Sequence, residues 1–122
     1  MDPHIVLSIF HLLFVAPLFL GVGFMRAATP QWIYWLLVGL GLVIFVYHGF
    51  KAFQRWRAGS SYLWVNLLHV ALVAPLLVFV GAQQKETPRY GYELMAMVGF
   101  AVAGYHIYSL IKTIQVIDSE KA

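Results

Sequence analysis

Four long apolar runs, separated by short polar connections, most constrain how this 122-residue chain can fold. They cover approximately residues 5–25, 31–53, 62–82 and 90–114. Each run has the roughly 20 residues that a helix needs to cross the ~30 Å hydrocarbon core of a bilayer. Hydrophobic residues make up 61% of the sequence and charged residues only 11%, whereas a soluble domain carries about 25% charged residues. The sequence therefore predicts an all-α integral membrane protein with four transmembrane helices.

Three short connections join the predicted helices: RAATP, QRWRAGSS and QQKETPR. Each contains proline, glycine or a cluster of polar residues, as turns do. Because short connections make consecutive helices antiparallel neighbours, we expect a single membrane domain over residues 1–122, built as a four-helix bundle. The first residues, MDPHIV, carry Asp2 where a signal peptide has Lys or Arg, so we expect no cleaved signal.

The second half of the sequence repeats the first at a distance of 58 residues. Residues 4–55 align with residues 62–113 without a gap, and 14 of the 52 aligned pairs are identical. We interpret this as a tandem duplication of a two-helix hairpin, with parallel copies related by a pseudo-two-fold axis along the membrane normal. The identical pairs include VAPL at 15–18 and 73–76, Thr-Pro at 29–30 and 87–88, and Tyr-His at 47–48 and 105–106.

The basic residues predict the orientation of the chain. If all four helices span the membrane, both termini and the middle connection share one side, which carries five of the eight Lys and Arg residues. The other side carries Arg26, Lys85 and Arg89. Because basic residues concentrate in cytoplasmic loops, we expect both termini in the cytoplasm.

Aromatic residues near the other ends of the helices predict an interfacial belt. Tryptophan and tyrosine concentrate at membrane–water interfaces, where their rings lie at the level of the headgroups. We expect an outer belt formed by Trp32, Tyr34, Trp35, Tyr90 and Tyr92.

Four histidines lie inside the apolar runs, at matching positions of the two copies. His11 and His69 lie in the first halves of helices one and three, and His48 and His106 lie in the last halves of helices two and four. Antiparallel packing predicts that all four share one level, roughly 5–9 Å to the cytoplasmic side of the midplane at 1.5 Å per residue. Ionisable groups at this depth usually face a bundle interior or a wet cavity. We therefore predict one site formed by all four histidines.

Polar residues on the same helix faces predict how this site is lined. Three residues toward the cytoplasm from the four histidines lie Ser8, Asn66, Lys51 and Ser109. Residues three or four apart share a helix face. A polar lining is therefore expected between the histidines and the cytoplasmic surface.

Two duplicated glycines and two duplicated prolines predict irregularities near the site. Gly41 and Gly99 lie two turns before the histidines of helices two and four, where they either allow close helix packing or leave room for a flat ligand. Pro17 and Pro75 each remove a backbone hydrogen bond, so we expect a kink or hinge in helices one and three.

The chemistry of imidazole supports a metal or haem site as the leading hypothesis. Neutral imidazole is a good ligand for Fe, Cu, Zn and Ni, and two histidines from facing helices can hold a b-type haem inside a bundle. One haem, with a role in electron transfer, or one transition-metal ion fits a single layer. The chain has no cysteine, which excludes thiolate ligands and c-type haem attachment. Histidine without acidic ligands disfavours Ca²⁺ and Mg²⁺.

Two alternatives stay open beside that hypothesis. Histidine titrates near neutrality and relays protons, so the chain could be a proton or ion channel or transporter. It could also be a non-catalytic membrane scaffold or accessory subunit, as a homo-oligomer or within a larger membrane complex. No Asp or Glu lies at the histidine level to orient a catalytic triad, which disfavours hydrolase chemistry. The net charge of +3 without a basic stripe disfavours nucleic-acid binding.

Overall fold

The computed structural model describes residues 2–121, and 92% of its residues are helical. Within the described residues there is no β-strand. The helices are α1 (Pro3–Ala28), α2 (Gln31–Arg57), α3 (Leu63–Glu86) and α4 (Arg89–Lys121), and each is long and apolar enough to cross a membrane. The prediction of an all-α chain with four such helices is confirmed.

Local sequence explains where these helices begin and end. The Asp2 side chain accepts a hydrogen bond from the His4 N–H at 2.7 Å and so caps the start of α1. Gly59, with a φ of 65°, follows the end of α2 in the left-handed conformation that glycine tolerates. Both α1 and α3 end in a 3₁₀ turn, at Arg26–Ala28 and Gln84–Glu86, and a Thr-Pro pair directly precedes the next helix.

The contacts gather the described chain into two compact units. The α1/α4 unit contains residues 2–24 and 93–121. The α2/α3 unit contains Met25–Tyr92. The prediction of one bundled domain over residues 1–122 is not tested by these contacts and stays a prediction.

In the α2/α3 unit, glycines let the two helix backbones approach closely. A Cβ added at Gly81 would lie 2.7 Å from the Tyr34 carbonyl oxygen and 2.8 Å from the Val38 nitrogen. A Cβ added at Gly41 would lie 2.7 Å from Cγ2 of Val78. Small residues at such contacts allow the close van der Waals packing by which membrane helices associate.

The α1/α4 unit uses glycine in the same way. A Cβ added at Gly23 would lie 2.7 Å from the Ala96 nitrogen, and one added at Gly99 would lie 2.8 Å from Cγ of Leu20. Of the two explanations offered for Gly41 and Gly99, the structure favours close packing. The space beside each glycine is occupied by the facing helix, which leaves no room there for a flat ligand.

Candidate functional site

A π-helical turn interrupts α3 directly before Pro75, and it begins at a histidine. The turn covers His69–Val73, and the Ala74 N–H donates to the His69 carbonyl five residues earlier. Proline has no N–H, and its ring clashes with the carbonyl four residues before it in an α-helix. The wider π turn is the local break in the helix that accommodates the proline. A hinge motion at Pro75 stays a prediction.

The same irregularity occurs in α1. A π turn covers His11–Val15, and the Ala16 N–H donates to the His11 carbonyl immediately before Pro17. In both helices a histidine therefore occupies the first position of the π turn. Such turns are frequent at functional sites because they reorient side chains and backbone groups.

His48 and His69 stack on each other within the α2/α3 unit. Their ring centroids are 4.1 Å apart and their planes are inclined by 9°. Nδ2 of Asn66 lies 2.8 Å from Nδ1 of His48. Arg55, near the end of α2, donates from Nη1 to Oδ1 of Asn66 at 2.6 Å. We call these four side chains, from the helix end inward, the polar line: Arg55, Asn66, His48 and His69.

The partners of the polar line determine where its ring protons lie. A guanidinium can only donate, so Oδ1 of Asn66 accepts and its Nδ2 donates to His48. Nδ1 of His48 is therefore the acceptor, and the proton of this ring is on Nε2. Nδ1 of His69 lies 2.6 Å from the Val65 carbonyl oxygen. A carbonyl only accepts, so His69 has its proton on Nδ1 and its lone pair on Nε2.

His11 and His106 form a second stack within the α1/α4 unit. Their ring centroids are 4.3 Å apart and their planes are inclined by 21°. Nδ1 of His11 donates to the Leu7 carbonyl at 2.8 Å. Oγ of Ser8 lies 3.5 Å from Nδ1 of His106, and both side chains are buried. Because a hydroxyl can donate or accept, Ser8 does not fix the tautomer of His106.

The structure brings the predicted histidines together as two pairs, one in each unit. Among the predicted lining residues, Asn66 and Ser8 reach ring nitrogens. Lys51 and Ser109 are half-buried one turn further along their helices, and the Ser109 carbonyl accepts a hydrogen bond from the Thr113 hydroxyl at 2.9 Å. The prediction that all four rings form one layer stays a prediction.

Arg55 is a member of the polar line that the sequence did not single out. Its charge entered only the prediction of orientation, because a basic residue near a helix end normally serves as an interfacial anchor. The available signal was its spacing: Arg55 lies seven residues after His48, two turns along the same helix face. Spacing alone could not show that Asn66 connects the two side chains, since this contact depends on how α2 and α3 pack.

Two tyrosines expected in the outer aromatic belt are buried. Tyr34 is fully buried and Tyr92 is 3% exposed, with their hydroxyls 2.8 Å apart. Tyr34 also lies 3.0 Å from the Arg26 carbonyl, and Tyr92 lies 2.8 Å from the Gln84 carbonyl. The belt prediction is wrong for these two residues, because their hydroxyls bind the turns that end α1 and α3. The other belt residues, Trp32, Trp35 and Tyr90, are exposed.

The bonds of the ring nitrogens and the distance between the rings determine whether a histidine pair can bind a metal ion. Metal-binding histidines usually donate their second N–H to a carbonyl or carboxylate, and His11 and His69 make such a bond. A metal held between two imidazoles lies ~2 Å from each nitrogen, which places the ring centroids about 5 Å apart in tetrahedral geometry and about 6 Å apart when the rings are on opposite sides of the metal. The two stacks are closer, at 4.1 and 4.3 Å. Among residues 2–121, no three His, Cys, Asp or Glu side chains are grouped to hold a metal ion.

The fold and these contacts define an all-helical protein with four helices suited to crossing a membrane and two stacked histidine pairs. Comparison with known protein families, curated proteins and solved structures finds no match. The functional proposal therefore rests on the side chains of this chain.

Proposed function

We propose that this chain is an integral membrane protein whose two histidine pairs take up and release protons, in a histidine-dependent proton or ion transport. The observation that carries the proposal is the polar line. His48 and His69 stack on each other inside an apolar helix pair. Hydrogen bonds through Asn66 link His48 to the charged Arg55 near the end of α2. Polar side chains within membrane helices are costly, and their usual role is in ion or proton pathways.

Exposed apolar side chains support insertion in a bilayer. Val46 is 70% exposed, and Phe24 and Trp56 are each 66% exposed. Water-soluble proteins rarely expose extensive apolar surface of this kind. Lipid is therefore the first partner of this chain, with both termini in the cytoplasm as the basic residues predict.

Matching contacts in the two units support the tandem duplication. The bond from His69 to the Val65 carbonyl has its counterpart in the bond from His11 to the Leu7 carbonyl, 58 residues earlier. His11 and His69 each begin a π turn, and each stacks on the histidine that follows a tyrosine in the facing helix of its unit. We propose that the two units are copies of one duplicated hairpin, so that the protein contains two versions of one proton site.

Electrostatic repulsion favours one proton per pair. Two unit charges about 4 Å apart repel by about 4 kcal/mol at an effective dielectric constant of 20. Two protonated rings in the His48–His69 stack would face this repulsion, whereas one protonated ring on a neutral partner does not. Each pair therefore exchanges one proton at a time.

The position of Arg55 indicates the side from which protons arrive. Seven residues separate it from His48, a rise of about 10 Å along the helix. Arg55 belongs to the side of the chain that holds both termini, which we expect in the cytoplasm. The pair in the α2/α3 unit is therefore approached from the cytoplasmic side.

Proton flux into liposomes tests the proposal through His69→Asn. The amide of asparagine keeps a donor near the position of Nδ1, so the bond to the Val65 carbonyl can persist, but asparagine takes up no proton. We expect proton flux driven by a pH gradient to fall at least severalfold in this variant. Circular dichroism of the same samples verifies that helix content is retained.

His4→Asn is the matched control, because His4 is exposed near the chain start and belongs to neither pair. It should leave the flux at the wild-type value. If both variants support wild-type flux, the histidine pairs do not carry protons. If the pairs can be replaced with no loss beyond stability, a membrane scaffold or accessory subunit becomes the better description.

A transition-metal or b-type haem site is the second candidate function, with electron transfer as the role if the group is haem. The carbonyl-bound Nδ1 atoms of His11 and His69 favour it, because they direct the lone pair to Nε2 as metal ligation requires. Haem binding between two rings would need the stacks to open from their present separation. Stoichiometric Fe, Cu, Zn or Ni in purified protein, or a Soret band after expression with added haem, would favour this candidate over proton transfer.

A further inference from the structure

We propose that Arg55 and Asn66 are positioning residues that hold His48 as its Nε2–H tautomer and so direct the incoming proton to Nε2 of His69. This inference rests on the proposed proton exchange and assigns unequal roles to the two rings of one pair. It also makes the two units unequal, because only the α2/α3 unit contains this amide and guanidinium.

The contacts of Asn66 carry the first step. Its side chain is 2% exposed, with Oδ1 2.6 Å from Nη1 of Arg55 and Nδ2 2.8 Å from Nδ1 of His48. Arg55 also donates to the Tyr62 carbonyl at 3.3 Å, which helps to hold the guanidinium in place. The amide therefore has one orientation in which both of its neighbours are satisfied.

Protonation of His48 would break this arrangement. A proton on its Nδ1 would face the Asn66 amide N–H, which is also a donor. Turning the amide over to present Oδ1 to His48 would place its NH₂ group against the Arg55 guanidinium, which again sets donor against donor. Neither orientation accommodates a proton on Nδ1 of His48 while Arg55 stays in place.

His69 has no such obstacle. Its Nδ1–H is already engaged by the Val65 carbonyl, so an incoming proton goes to Nε2 and leaves that bond intact. The groups facing these rings include the face of the stacked partner ring, the Asn66 amide, and the ring of Tyr47, which lies edge-on to His48 at 5.1 Å. Arg55 acts on the pair through Asn66.

The α1/α4 unit has different side chains at the positions of Asn66 and Arg55. Ser8 occupies the position of Asn66 in the other copy, and its hydroxyl can reverse its role as donor or acceptor when His106 changes protonation. Thr113 stands where the other copy has Arg55.

Nitrogen NMR of the full-length protein, labelled with ¹⁵N-histidine and reconstituted in lipid, tests this assignment. The two ring nitrogens report directly which of them bears the proton. At neutral pH we expect His48 to carry its proton on Nε2, and on acidification Nε2 of His69 should gain a proton before Nδ1 of His48. Asn66→Ser, which copies Ser8, and Arg55→Ala should each turn the single His48 tautomer into a mixture.

Two further variants separate positioning from simple stability. Arg55→Lys keeps a donor to Oδ1 and should restore the single tautomer, whereas Arg57→Ala removes a neighbouring charge and should leave the His48 signals unchanged. A proton on Nδ1 of His48 in the wild-type protein, or unchanged His48 signals in both Asn66→Ser and Arg55→Ala, would overturn the assignment. Predicted tautomers without His69-dependent flux would instead overturn the proposed transport while supporting the positioning roles.

Discussion

At the scale of single residues, the chemistry of this protein depends on which atoms donate and which accept. Arg55 can only donate and the Val65 carbonyl can only accept, so these two groups determine the tautomers of His48 and His69. In the other unit a serine hydroxyl takes the place of the amide, and a hydroxyl can either donate or accept. We propose that the two substitutions between copies, Asn66 against Ser8 and Arg55 against Thr113, make the two histidine pairs unequal.

The buried tyrosine pair gives a prediction at this scale. Tyr34→Phe removes one of two hydroxyls that contact each other at 2.8 Å and each contact a turn carbonyl. We expect a loss of about 0.5–1.5 kcal/mol in stability, the usual net value of one such hydrogen bond. Thermal unfolding in detergent measures it.

Tyr90→Phe is the control for that experiment, because Tyr90 is 60% exposed. It should be close to neutral. A Tyr34→Phe variant as stable as Tyr90→Phe would mean that the hydroxyl pair does not hold the turns. A double-mutant cycle with Tyr92→Phe then gives the coupling between the two hydroxyls.

At the scale of the helix, π turns and glycine contacts place the histidines. Each π turn lies directly before a proline and begins with the histidine that donates to its own helix. Two turns before the other histidine of each pair, a glycine lets the facing helix approach. The stack therefore depends on a break in one helix and a close contact on the other.

Gly81→Ala tests the importance of close packing between α2 and α3. The added methyl group would meet backbone atoms of Tyr34 and Val38 at 2.7 and 2.8 Å, and backbone cannot move aside as a side-chain end can. We expect a loss of about 1–3 kcal/mol in stability, typical of overpacking.

Gly39→Ala is the matched control in the same helix pair, since a Cβ at Gly39 would meet no atom within 4 Å. Alanine favours a helix over glycine by about 1 kcal/mol, so this variant should be neutral or stabilising. Equal destabilisation by both substitutions would contradict the close-packing account, because the methyl group added at Gly39 meets no neighbour.

The sequence was sufficient to predict the four helices and the equivalence of the histidines in the two copies, but not which histidines stack as pairs. Hydrophobic run length predicts four helices, and the 58-residue repeat predicts that the histidines occur as equivalent sets. The partner of each ring depends on which helix faces which, and short connections alone do not determine that. The contact of Arg55 with Asn66 and the burial of Tyr34 could not be predicted for the same reason. Near a helix end, the sequence looks the same whether an aromatic or basic residue faces lipid or a neighbouring helix.

At the scale of the whole molecule, the even number of helices predicts that both termini and the α2–α3 connection share one side of the membrane. The absence of native cysteine makes this directly measurable, because one introduced thiol is the only one in the chain. Ser60→Cys and Ser119→Cys should react with an impermeant maleimide from the same, cytoplasmic side, and Lys85→Cys from the opposite side. Labelling of all three positions from one side would contradict a four-span topology.

The number of protons bound by one histidine pair tests the proposed function most directly. Potentiometric titration of the purified protein from about pH 8 to pH 5 covers the range in which histidine titrates. His48→Asn/His69→Asn should bind one proton fewer than the wild-type protein, because repulsion between stacked rings limits the pair to a single proton. No difference from wild type would show that these histidines stay neutral and only hold helices together, and a loss of two protons would show that the rings titrate independently.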